Sequence, residues 1–131
     1  MKVIDGENAV LGRVAAYAAK EAIKGEEIVV VNCEKIIVTG RKKTTQQEFA
    51  EKKSKVGHSQ KGPRHSVLSY KIVKRTIRGM IPEHRWGRGK EIFNRIKCYN
   101  KVPKEFEGAE KISLVRDVKC RSIKVGEIYK R

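Results

Sequence analysis

The feature that most constrains the fold is Glu27 to Asn32, a short run made almost entirely of β-branched side chains. Such a run has no polar residue on alternate positions to face water, so it reads as a strand buried on both faces. Upstream, Leu11, Val14, Ala15, Ala18 and Ala22 recur at helical spacing, and Lys2 to Asp5 is short and strand-like. Gly6 breaks that first strand, Asn8 reads as the helix N-cap, and Gly25 is placed to end the helix. Small residues on the helix face let it lie close to a sheet, and Gly12 is expected to aid that packing. Strand, helix and strand in this order imply a right-handed crossover and a parallel sheet.

Beyond Asn32 the pattern weakens. Ile36-Ile37-Val38 reads as a short strand or one turn of helix, closed by Thr39-Gly40. Lys43 to Lys55 is polar, with Phe49 its only large apolar residue, and reads as a surface helix. Gly57, Gly62 and Pro63 mark a loop from Lys55 to Arg64. Ser66 or Ser69 would cap a helix running to about Met80, with Leu68, Ile72, Val73, Ile77 and Met80 apolar, stopped by Pro82. A turn-rich stretch, Pro82 to Gly89, precedes a short helix around Glu91 to Arg95 and a strand at Lys97-Cys98-Tyr99. Pro103 to Gly108 reads as a loop. Ile112, Leu114, Val118, Ile123 and Val125 alternate too weakly to fix the structure of the last segment. The 131 residues fit one domain with a real core, with a C-terminal tail from about 105.

Charge is placed unevenly. The net charge of +16 comes from 31 basic and 15 acidic side chains. Met1 to Gly40 carries a net −1, Arg41 to Lys104 a net +15, and Glu105 to Arg131 a net +2. The first third is therefore neutral scaffold and the middle is the charged surface. A compact body with this charge repels itself unless a polyanion lies close by.

Three patterns localise that surface. Lys71, Lys74, Arg75 and Arg78 fall at helical spacing, which puts four cations on one face and Ile72, Val73 and Ile77 on another. Solvated faces usually mix signs, and no acid lies between Glu51 and Glu83, so phosphate contact is favoured over a plain solvated face. Second, Arg85, Arg88 and Lys90 surround the only tryptophan, Trp86, with Gly87 and Gly89 between them. Arg and aromatic planes stack on unpaired bases, and glycine lets the backbone approach a phosphate. For Trp86 itself, a place over the core edge is slightly favoured over contact with a base. Third, Lys52, Lys53, Lys55, Lys61 and Arg64, with His58 and His65, form a basic loop that orders on binding or is simply flexible.

Other chemistries find little support. A P-loop needs a Lys-Ser/Thr pair after its last glycine, but Arg13-Val14 follow Gly12, and the dinucleotide fingerprint is also missing. His and Cys show no metal-ligand spacing, no carboxylates pair recognisably, and no cofactor is expected. Cys33, Cys98 and Cys120 are odd in number and widely spread, which suits reduced thiols, with Cys33 a small core residue. No apolar run approaches the length that crosses a bilayer, and the sequence opens on Met1-Lys2 directly at a strand-like segment, so a signal peptide is not expected. Membrane and small-molecule partners are therefore not expected.

Taken in order, several motifs resemble one family. They are Asp5 with Leu11-Gly12-Arg13; Val30-Val31-Asn32 with Glu34-Lys35 and Val38-Thr39-Gly40; Gly79-Met80-Ile81-Pro82 with Gly87-Arg88; and Ile96-Lys97-Cys98-Tyr99. Over roughly the first hundred residues the chain closely resembles the thirteenth protein of the large ribosomal subunit, in its archaeal form. The resemblance implies a three-layer α/β/α fold around a four-stranded parallel sheet. It also implies binding to large-subunit ribosomal RNA, neighbouring ribosomal proteins as partners, a place in the cytoplasmic large subunit, and a role in early assembly. In that family the Gly-Met-aliphatic-Pro to Gly-Arg region approaches RNA, which carries over to Arg78, Gly79, Met80, Pro82, Gly87 and Arg88. With the charge patterns, the expected RNA-contacting set also includes Lys42, Lys43, Lys61, Arg64, Lys71, Lys74, Arg75, Arg85, Trp86 and Lys90. Bacterial members have a His-containing segment where Asn100-Lys101-Val102-Pro103 stands here, and a stretch before the first strand that this chain lacks, so contacts there do not transfer. A regulatory RNA or DNA binder and a nucleotide-dependent enzyme on the strand-helix-strand unit are the rival readings, the latter weakened by the missing phosphate loop.

Overall fold

The computed structural model describes residues 1–130. Strand β1 (Lys2–Asp5) leads through helix α1 (Leu11–Ile23) to β2 (Ile28–Val31), and the two strands pair in parallel with Val3 opposite Val29 and Ile4 opposite Val30. Short β3 (Ile37–Thr39), α2 (Lys42–Ser54), α3 (Ser69–Gly79), α4 (Gly87–Asn94), β4 (Ile96–Cys98), β5 (Lys111–Ser113) and β6 (Ser122–Lys124) follow. The main sheet has the order β4-β2-β1-β5, and all three of its pairings are parallel.

All four residues of β2 are buried, because β2 is central and both its faces are covered. On one face Ile4, Ile28, Val30 and Ile96 pack with Val14, Ala15, Ala18 and Ala22 of α1 and with Ile72, Val73 and Ile77 of α3. On the other, Val3, Val29 and Val31 lie under Phe106, with Tyr99, Val102 and Ala109 around it. Phe106 ends a single helical turn, Lys104–Phe106, within the stretch expected as loop. The three-layer α/β/α order therefore holds, with the third layer thin. Each fully buried Val or Ile contributes about 1.5–3 kcal/mol by leaving water.

The N-terminal crossover differs from expectation at two residues. α1 begins at Leu11 with Val10 in the cap position and no side-chain cap, while Asn8 sits in the left-handed region at φ 56°. Asn tolerates that conformation, so it shapes the turn rather than capping the helix. Gly12 is exposed, and a Cβ there would meet nothing within 4 Å. The close approach belongs to Gly6, where a Cβ would lie 2.5 Å from Ile36 Cγ1. Gly25 does end α1, at φ 105° with its N–H donating to the Ala22 carbonyl at 3.0 Å.

The C-terminal segment is structured. β5 pairs with β1, placing Ile112 opposite Ile4, and supplies the fourth parallel strand. β6 pairs antiparallel with β3, Ile123 opposite Val38, which settles the Ile36 to Val38 ambiguity in favour of a strand. Ile123, Val125 and Ile128 are buried in the main core. No helix among the described residues is long and apolar enough to cross a membrane.

Candidate nucleic-acid interface

Helix α3 sorts its side chains by spacing. Ile72, Val73 and Ile77 are buried, Lys71 is exposed, and Lys74, Arg75 and Arg78 are partly exposed on the outer side. No serine caps it: Leu68 holds the cap position, and Ser66 Oγ accepts from the Leu68 N–H at 3.2 Å. The Tyr70 N–H in the first turn donates to Asn100 Oδ1 at 3.0 Å, which ties the start of the helix to the segment after β4.

Side chains from α2, α3, α4, the loop before α3 and the C-terminal segment line a groove of about 450 Å³ along this stripe. Lys52, at the end of α2, Arg64, Lys71, Lys74, Arg75 and Arg78 line it, and no acid does. Its apolar wall is Phe49 from α2, Ile72, Phe93 from α4 and Tyr129. The Phe49 and Tyr129 rings meet edge to face at 6.2 Å, and the Tyr129 hydroxyl donates to the Phe49 carbonyl at 3.4 Å. Lys52 Nζ lies 5.4 Å from the Phe49 ring centre and Lys74 Nζ lies 4.9 Å from that of Phe93, both in cation–π range. Arg75 Nη1 donates to the Arg64 carbonyl at 3.0 Å, fastening the loop to the helix. Burial, then the charges of Arg75, Lys52 and Lys55, hold the His65 imidazole below its ordinary 6.5. His65 is therefore neutral at pH 7, an uncharged hydrogen-bonding group in a cationic rim.

The salt bridges complete the electrostatic picture. Among the described residues they join Met1 to Glu26, Lys2 and Lys24 to Glu21, and Lys35 to Glu7. All lie in the nearly neutral first third. No described cation from Arg41 to Lys104 forms one, so the four carboxylates of that segment leave these cations without a direct ion pair.

The second expected cluster lies on the turn after α3. Ile81 is buried and anchors that turn, whereas Met80 is 42% and Trp86 64% exposed. The reading of Trp86 as a cover for the core edge does not hold; Trp86 holds the cap position of α4, outside the core. Pro82, Arg85, Gly87, Arg88 and Lys90 are exposed with it, and Gly79 is exposed at the end of α3. Gly89, by contrast, is buried, and a Cβ there would lie 2.2 Å from the Pro82 carbonyl oxygen. Helix α4 starts at Gly87, earlier than expected, because that close approach seats its first turn against the loop.

The structure thus gathers Arg64, Lys71, Lys74, Arg75 and Arg78 at one groove. Lys42 and Lys43, in the first turn of α2, and Lys61, in the loop, are exposed but do not line it, and neither do the residues from Gly79 to Lys90. Sequence reasoning missed the aromatic wall, whose members come from distant parts of the chain. It also missed a second cationic groove, where Arg13 and Lys20 of α1 face Arg116. Charge summed by segment cannot reveal a groove whose cations come from both ends of the chain.

Fold and site together define a class: a small parallel α/β protein with an acid-free cationic groove on its surface. Comparison with known proteins narrows it. Residues 1–105 match the family model described as ribosomal protein L13. The large ribosomal subunit protein uL13 of Methanocaldococcus jannaschii is 43% identical over 116 residues, covering 86% of this chain and 84% of the relative. That of Thermoplasma volcanium is 40% identical over 118 residues, covering 90% and 85%. That of Methanosarcina barkeri is 37% identical over 137 residues, covering all of this chain and 96% of the relative. The chain belongs to the ribosomal protein L13 family, a structural component of the ribosome and not an enzyme.

Proposed function

We propose that this protein binds large-subunit ribosomal RNA and, as one folded domain in the cytoplasmic large subunit, supports early assembly of that subunit beside neighbouring ribosomal proteins. The observation that carries this reading is the run of cations from Arg41 to Lys104 with no salt bridge among the described residues. Holding a net charge of +15 over that segment with no direct ion pair is unfavourable, and a phosphate backbone supplies the missing counter-charge. In this reading Lys71, Lys74, Arg75, Arg78 and Arg64 neutralise phosphates along the groove. Lys42, Lys43 and Lys61 extend the contact along α2 and its loop. The turn bearing Gly79, Met80, Pro82, Arg85, Trp86, Gly87, Arg88 and Lys90 reaches a second stretch of RNA. Shape and phosphate contact, rather than base reading, supply most of the fit.

A salt titration against a large-subunit rRNA fragment and an unrelated RNA tests it. If about eight phosphates are engaged, log affinity falls with log salt at a slope of roughly −6 to −7. The double variant Lys74→Glu with Arg78→Glu is expected to keep the fold and reduce the size of the slope by about 2. A flat salt response, or equal affinity for both RNAs at physiological salt, sinks the reading.

A further inference from the structure

We propose that the groove between α2 and α3 takes one unpaired nucleotide of the bound RNA, its base against the aromatic wall and its phosphates on the rim. This rests on the reading that the chain binds large-subunit rRNA. Neutralising a helical phosphate backbone needs only an outward row of cations, which Lys71, Lys74, Arg75 and Arg78 already provide. It does not need a recess. Yet the groove is a recess of about 450 Å³, within the roughly 300–1,000 Å³ typical of small-molecule sites. Among its cations stand aromatic rings, with Phe49, Phe93 and Tyr129 converging from three elements.

A flat, π-faced group with negative charge attached matches that combination. The ammoniums of Lys52 and Lys74 lie over the Phe49 and Phe93 rings, covering faces on which a base would stack. Their long flexible stems let them swing off the rings toward phosphate oxygens as a base enters. Arg75, held by its bond to the Arg64 carbonyl, keeps the rim in place during the exchange. His65, partly buried at the same rim, offers one donor and one acceptor to a base edge. An acidic peptide from a protein neighbour would satisfy the rim cations but would leave the aromatic wall without a stacking partner.

Zero-length ultraviolet crosslinking of the full wild-type chain to a large-subunit rRNA fragment, followed by peptide mapping, tests the proposal. Crosslinks are expected at Phe49, Phe93 or Tyr129. Phe93→Leu, which keeps an apolar side chain, is expected to weaken binding about 5- to 150-fold, the range for losing one base–aromatic stack. Its salt slope stays that of the wild type, because no phosphate contact is removed. Crosslinks confined to residues outside the groove, with preferential rRNA binding intact, overturn the nucleotide site and leave the parent reading standing. Groove crosslinks obtained only with a Glu/Asp-rich peptide assign it to a protein neighbour and also overturn it. Loss of any preference for the rRNA fragment overturns both. Where crosslink and variant differ, the wild-type crosslink decides.

Discussion

Replacing Gly89 by alanine should loosen the turn that carries Trp86. Gly89 sits in the first turn of α4, and an added Cβ would lie 2.2 Å from the Pro82 carbonyl oxygen and 2.3 Å from that of Glu83. Both are backbone atoms, which cannot rotate away as a side chain does. To reach an ordinary contact the turn must retreat by about 1 Å. Ile81, only 3% exposed, anchors that turn in the core, and Glu83 already sits at φ 50°, so the retreat works against fixed neighbours. Overpacking of this kind costs about 1–3 kcal/mol. At roughly 4 °C per kcal/mol for a chain of this length, Tm should fall by about 4–12 °C. Gly79→Ala is the matched control. It lies at the end of α3, and its Cβ would meet nothing within 4 Å. The gain in helix propensity, up to about 1 kcal/mol, should leave Tm unchanged or slightly higher. Thermal unfolding followed by circular dichroism at pH 7 measures both. A Gly89→Ala protein melting within a degree of the wild type, or a Gly79→Ala protein equally damaged, would refute the steric reasoning.

Two further outcomes are expected. Hydrogen bonds from Lys2 and then Lys24 hold the Glu21 carboxyl below its ordinary 4.5, at about 2. A depressed folded value means the contribution is complete above about pH 4.5 and lost as pH falls through about 2. The stability gap between wild type and Glu21→Gln should therefore close across that window, and a gap independent of pH in denaturant titrations would refute the assignment. Among the thiols, Cys120 is exposed and Cys33 buried, with the Cys33 thiol pushed up by its hydrogen bond with Cys98 and then by burial. Mass-spectrometric thiol labelling of the native protein should modify Cys120 first and Cys33 only on unfolding; equal rates would show that Cys33 is not in a closed core.

The parts of the fold that could be read in advance are those where local pattern and tertiary role coincide. The β-branched run of β2 is central in the sheet, and the alanine face of α1 does meet that sheet. The α3 stripe was legible because one helix carries both its cations and its buried residues. Strands β5 and β6 were not legible because they exist only where partners distant in the chain complete their ladders. Gly12 was misread because the sequence does not say which glycine faces a neighbouring backbone. Trp86 was misread because hydrophobicity alone favours burial, while the turn from Glu83 to Gly87 turns it outward. The groove was half legible: its cations are local to α3 and the preceding loop, but Phe49, Phe93 and Tyr129 meet only after folding.

The wall that Tyr129 completes also sets an order of events during synthesis. Gln46 Nε2 donates to the carbonyls of Glu127 and Lys130 at 3.1 and 3.0 Å, strapping that last segment across α2. Translation delivers Lys71 to Arg78 long before it delivers the residues that Gln46 fastens. A growing chain thus carries its cationic stripe before it has the aromatic wall that completes the groove. If the groove takes a nucleotide as proposed, it is complete for that task only once the segment carrying Tyr129 has docked on α2.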